Sequence, residues 1–224
     1  MNSDKNTPKL LGAAFLLQAV ASAVSGLILL QPLIVPGNIT ESMTNISNNA
    51  LQMRASIVVE MITAIGIVML GSLLFVTLKK QNGKIALVAL GLYLTEAAIL
   101  AVSRIAAFSL LRISQESVIA GHPADLQTLG NLFYESQSFG YDLHMLPFAL
   151  GATLFYYLFF KSGFIPRVLS LWGLIAAPLS FIGTLFALLG YDVPIFVFLP
   201  NLPFELTIGV WLMVKGIRDG SETK

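Results

Sequence analysis

Six runs of mostly apolar residues lie near 9–35, 54–79, 84–113, 137–161, 166–190 and 193–216. Each supplies the roughly 20 residues that a helix needs to cross a ~30 Å hydrocarbon core. Hydrophobic residues make up 56% of the 224-residue chain and charged residues 11%, against about 25% charged in an ordinary soluble domain. The chain therefore reads as an all-α, polytopic membrane bundle of six transmembrane helices, one integral membrane domain with the lipid bilayer as its solvent. The run near 84–113 is longer than a crossing requires and is expected to tilt or to extend beyond the bilayer.

The first run contains Ala21-Ser22-Ala23, a small-residue pattern like a signal-peptidase site. The apolar stretch continues through Leu30 and Val35, longer than the core of a signal peptide, so a retained first helix is expected. Orientation follows from the cations. Lys5, Lys9, Lys79, Lys80, Lys84, Lys161, Arg167, Lys215, Arg218 and Lys224 all fall on one side of the six-span topology, leaving Arg54 and Arg112 near helix ends on the other. The positive-inside rule then places both termini in the cytoplasm of a cell-membrane protein. The aromatic end of the fourth helix, "FYYLFFK", with Trp172 and Trp211, is expected to form an interfacial belt on that side.

Two long connections, "PGNITESMTNISNNALQM" and "SQESVIAGHPADLQTLGNLFYESQ", face the opposite side. The first carries two glycosylation-type triplets, at Asn38 and Asn45, in a segment where Asn, Ser and Thr are frequent enough for chance matches. Neither connection reads as a second domain, and the chain has no internal repeat.

Ionisable residues inside a span are costly, at least ~2.5–3.5 kcal/mol each on insertion scales, so each one demands an explanation. At 1.5 Å per residue, Glu96 lies roughly 17 Å along its helix, near the midplane, and Glu205 reaches a similar depth from the other direction. Glu60 and Arg104 sit only about 9 Å below the outer boundary, with Asp142 and His144 entering the same layer. These groups are expected to form a funnel narrowing to a Glu96–Glu205 floor, with Glu60 or Asp142 as the partner of Arg104. Pro200 and Pro203 bracket Asn201 one turn before Glu205. They mark either a broken helix of the kind that builds transporter sites or a simple proline kink. Pro147 and Pro178 read as kinks only.

Two readings of the carboxylates stay open. In one, Glu96 and Glu205 exchange a proton or bind a cationic or polar small molecule, making the protein a ligand-binding protein or a proton-linked transporter. In the other they are packing residues of a non-transporting scaffold or partner protein, donating or accepting hydrogen bonds between helices. A third and lesser reading, an intramembrane hydrolase or metal enzyme, would use His144 and Asp142. It lacks support from motifs, since no Gly-x-Ser-x-Gly, Walker, dinucleotide or His-Glu-x-x-His pattern is present. No metal or other cofactor is expected: cysteine is absent, and the two histidines, His122 in a loop and His144 in a span, are not matched for haem. The absence of basic blocks interleaved with aromatics argues against nucleic acid, and nothing in the sequence fixes an oligomeric state.

The C-terminal half, "LPFALGATLFYYLFFKSGFIPRVLSLWGLIAAPLSFIG" followed by "NLPFELTIGVWLMVKG", resembles the bacterial and archaeal membrane-protein family catalogued as domain of unknown function 4386. The resemblance rests on Ser162, Pro166, Arg167, Leu169, Ser170, Trp172 and Gly173, then Glu205, Trp211, Leu212, Val214, Lys215 and Gly216. It extends more loosely to Glu60 and Glu96, at positions where the family tends to carry glutamate. This chain has Tyr93 where the family often has arginine, so an arginine–glutamate clamp would have to use Arg104. The resemblance implies six membrane helices and supplies no activity.

Overall fold

In a computed structural model, which describes residues 6–218, the six apolar runs are helical and no strand occurs among the described residues. Lys5 and Lys224, counted above for orientation, lie outside the described residues. Helix α1 spans Thr7–Ala23 and continues as a π-helical segment, Val24–Leu30, and a 3-10 turn, Gln31–Leu33. Helices α2 (Ile39–Asn48), α3 (Ala50–Leu78), α4 (Gly83–Ile119), α5 (Ala124–Ser162) and α6 (Arg167–Leu188) follow. A 3-10 turn, Ile195–Val197, then leads into α7, Asn201–Lys215.

The helices close a ring. Each of α3 to α6 packs on the next, α1 packs on α3, and α7 lies along α1 with only light contact to α6. Aromatic and aliphatic side chains fill the centre, among them Phe15, Leu70, Tyr93, Phe155, Tyr156, Phe159 and Phe204. Val58, Ile65, Ile105, Ile175 and Ile182 project outward, as suits helices surrounded by lipid. Where α1 and α7 cross, Gly12 and Gly209 let the backbones meet. A Cβ at Gly12 would lie 2.5 Å from the Gly209 carbonyl oxygen.

The π segment begins where small residues (Ala21, Ser22, Ala23, Ser25, Gly26) replace bulky ones in α1. It is tied to α3 in both directions: Ser25 Oγ of the π segment donates to the Ser56 carbonyl at 2.9 Å, and Gln52 Nε2 of α3 donates to the Leu29 carbonyl at 2.9 Å.

Three features depart from the sequence reading. The first connection contains α2, capped by Asn38, whose Oδ1 accepts from the Glu41 amide at 3.0 Å while its Nδ2 donates to the Glu41 carboxylate. Met43 and Ile46 bury its apolar stripe against Leu110 and Leu111, packing that its polar composition conceals. The second connection is almost wholly helical as well, because α4 runs to Ile119 and α5 starts at Ala124, 13 residues before the expected 137. Thr40 Oγ1 donates to Gln127 Oε1, tying α2 to this extension of α5. Finally, the last apolar run is not one helix. Pro194 and Pro200 hold its first part out of α conformation, and α7 begins only at Asn201. Pro203 sits in the first turn of α7, where a missing N–H costs no intrahelical bond. Pro147 and Pro178 stay inside α5 and α6.

Candidate functional site

At 1.5 Å rise and about 100° per residue, a helical side chain recurs on one face every three or four positions. On α3 this aligns Glu60, Thr63 and Ile67. On α4 it aligns Glu96, Leu100 and Arg104. The deeper members of both series, with Gln18 and Ser22 of α1, Tyr141 and His144 of α5, and Asn201 and Glu205 of α7, line a cavity of about 350 Å³. Its floor is polar, and its walls are apolar, including Phe148, Phe198 and Leu199. A second cavity of about 360 Å³ lies between the end of α6 and residues 191–197. Its lining is apolar apart from the exposed Asp192, and no buried ionisable residue reaches it.

Two carboxylates dominate the first cavity. Glu96 and Glu205 are 3% and 7% exposed and lie within electrostatic reach of each other. Glu96 Oε2 has no hydrogen-bond partner, while Glu205 Oε1 and Gln18 Nε2 lie close enough to interact with each other without forming a hydrogen bond of regular geometry. Beneath them the hydroxyls of Tyr93 and Tyr156 face each other and the same two carboxylates, without a hydrogen bond of regular geometry. A buried polar atom without a well-formed hydrogen bond is costly, and five such atoms gather here. Among the cavity-lining residues there is no lysine or arginine.

The α7 start is better satisfied. Asn201 Nδ2 donates to Ser180 Oγ and to the Phe198 carbonyl at 3.2 Å, which also accepts from the Asn201 amide. His144 Nδ1 lies against the backbone carbonyl of Tyr141. The Tyr141 ring stands edge-on to His144, with centroids 4.6 Å apart.

Of the seven residues singled out from sequence, Glu96, His144, Asn201 and Glu205 share this cavity, and Glu60, Arg104 and Asp142 do not line it. Glu60 and Arg104 lie one turn further along the same faces. The expected ion pair of Arg104 does not form. Its Nη2 and Nε turn back onto Ser103 Oγ, at 2.9 and 3.2 Å, and Glu60 is the carboxylate it senses, beyond ion-pair distance. Asp142 fails as a partner for a geometric reason: two residues from His144, it points about 200° around α5 and is only half-buried. The same angle separates Asp142 from His144 as a catalytic pair. Among the described residues, no three His, Asp or Glu side chains converge as metal ligands.

Sequence reasoning missed Gln18, Thr63, Tyr141 and Tyr156 as cavity or floor residues. Gln18, a lone amide in an apolar run and four residues from Ser22, was the readable signal. Tyr156 was assigned to the interfacial belt. The helical period divides that aromatic run, with Tyr157 and Phe160 outward and Phe155, Tyr156 and Phe159 in the core. Tyr156 meets Phe204 of α7 edge-on at 4.7 Å, and Trp172 of α6 packs on the same phenyl ring at 5.8 Å.

The family model described as domain of unknown function DUF4386 matches residues 10–216. The chain belongs to this family. No curated protein and no solved structure matches it. The match takes in all six DUF4386 spans, nearly end to end. In this DUF4386 member Ser162 and Ser170 bond to backbone at the α5–α6 turn. Arg218 N, just past the matched region, donates to the Phe164 carbonyl at 3.0 Å and ties the end of α7 to that turn.

Proposed function

We propose that this membrane protein binds a small ligand between Glu96 and Glu205, and that the bound species brings positive charge or exchangeable protons to the two carboxylates. The observation that supports this reading is the set of buried polar atoms around one cavity that lack a well-formed hydrogen bond: Glu96 Oε2, which has no partner, and Glu205 Oε1 and Gln18 Nε2, which have only each other. Carboxylates kept for packing would be expected to use their oxygens between helices, as Asn201 uses its amide. The broken lead into α7 adds a backbone arrangement that recurs where transporters hold substrate near mid-depth. Proton-linked transport is the activity that best fits a carboxylate pair so placed, with the cation-rich end of the bundle and both termini in the cytoplasm.

Native mass spectrometry of gently solubilised wild type beside Glu205→Gln tests the binding reading. A small molecule retained by wild type and lost from the variant is the expected result. Identical spectra and identical melting temperatures with nothing retained would return Glu205 to a packing role.

A further inference from the structure

The walls and mouth of the cavity carry information that its floor does not. Leu27, Tyr141, Ile195 and Leu199 line it and are also exposed, by 57%, 43%, 72% and 57%. Leu27 lies six residues before the end of the first span, about 9 Å below its limit, while Ile195 is the first residue of the last span and Leu199 lies four residues further in. The rim is thus largely apolar, with Tyr141 its one hydroxyl-bearing member, and runs from the limit of one span into the apolar stretch of the other. The elements on its two sides diverge: the π segment packs on α3, the Ile195–Val197 turn packs on α6, and neither packs substantially on the other. An opening with an apolar rim between two spans faces lipid, where a water-soluble solute is scarce.

The floor selects the head group. It presents two buried carboxylates, one with an unpartnered oxygen and one with only the Gln18 amide close by, while the one basic side chain in the lining, His144, has Nδ1 against a carbonyl. An ammonium supplies both the missing charge and several donors. A volume of about 350 Å³ is at the small end for ligand sites, enough for a head group and a short run of chain whose remainder would lie in the bilayer.

We infer that the ligand is an amphiphile with a cationic amine head, entering sideways from the bilayer between the π segment of the first span and the broken start of the last. This rests on the binding reading above and names the substrate class and route of that same site.

The test uses the full chain in lipid nanodiscs with dodecylamine as probe, titrated by its mole fraction in the lipid. Propylamine and dodecanol serve as comparators, and the thermal midpoint and native mass spectra are read together. Dodecylamine is expected to be retained and to raise the midpoint. Glu205→Gln should require about tenfold more of it, the loss of one charge-assisted contact. Leu199→Trp, which fills the mouth without touching the floor, should weaken it as well. If propylamine binds as tightly as dodecylamine and ignores Leu199→Trp, the lateral route is wrong and the binding reading survives. If dodecanol matches dodecylamine, the amine class is wrong. If no probe binds and Glu205→Gln changes nothing, the inference and the reading beneath it both fall.

Discussion

The first and last spans meet twice in opposite ways. Near the termini they touch backbone to backbone through Gly12 and Gly209, with Leu11, Phe15, Ile208 and Leu212 buried around the crossing. Toward the other end the same two segments leave α geometry, one into a π segment and one into a 3-10 turn, and a cavity opens between them. The difference follows from residue type. Glycine allows close approach, and dispersion between tightly fitted helices is then enough to hold them in lipid, where no hydrophobic drive operates. Serine, glutamine, proline and glutamate bring groups that need partners, and where those are lacking the backbone is free to part. A tight seam beside an open one is a hinge-like arrangement, with the fixed point near the termini.

Three substitutions sharpen this contrast. Gly12→Leu attacks the closed seam, where a Cβ already meets the Gly209 carbonyl, and should destabilise the protein by about 3 kcal/mol in a reversible unfolding assay. Wild-type stability in that variant would mean that the seam is looser than described. At the open seam the sign should reverse. Glu205→Leu removes a buried carboxylate with an oxygen that lacks a well-formed hydrogen bond and is expected to raise ligand-free stability by about 1–2 kcal/mol while abolishing binding. A loss of similar size would instead reveal a packing bond. The smallest effect belongs to Ser25→Ala, which removes the tether of the π segment to the Ser56 carbonyl and should cost about 0.6 kcal/mol. Faster amide exchange confined to residues 24–30 would accompany it, and exchange spread evenly over α1 would show that Ser25 is not a local tether.

Particular residues show which parts of this structure are legible in the sequence. The six spans are, because a 20-residue apolar run in so weakly charged a chain has few other uses. Depth is also legible, since rise per residue is nearly constant, and that is how Glu96 and Glu205 could be matched from helices running in opposite directions. Azimuth is not. Arg104 and Asp142 share a level and still fail to meet, because each helix rotates to bury its own small and apolar face and the sequence of one helix says little about the rotation of its neighbour. Tyr156 was hidden for a related reason: in "FYYLFFK" every position before Lys161 is apolar or aromatic, so the core face stands out only when the run is traced back through Ala149 and Ala152. The extension of α5 to Ala124 was concealed by its polar surface, which signals contact with water and says nothing about helicity.

The long hairpin of α4 and α5 has a mechanical side. At 37 and 39 residues these helices measure about 55–58 Å, some 25 Å more than a hydrocarbon core requires. They are joined by a tight turn in which Gly121 and His122 are both left-handed, and the His122 amide closes back on the Ser117 carbonyl at 2.8 Å. Braced along one side by α2, the hairpin projects so far past the span that a given rotation of α4 and α5 about a point in the membrane displaces its tip in proportion to that length. Two spin labels, one at its tip and one on α7, would therefore register a small rearrangement around Glu96 as a displacement several times larger.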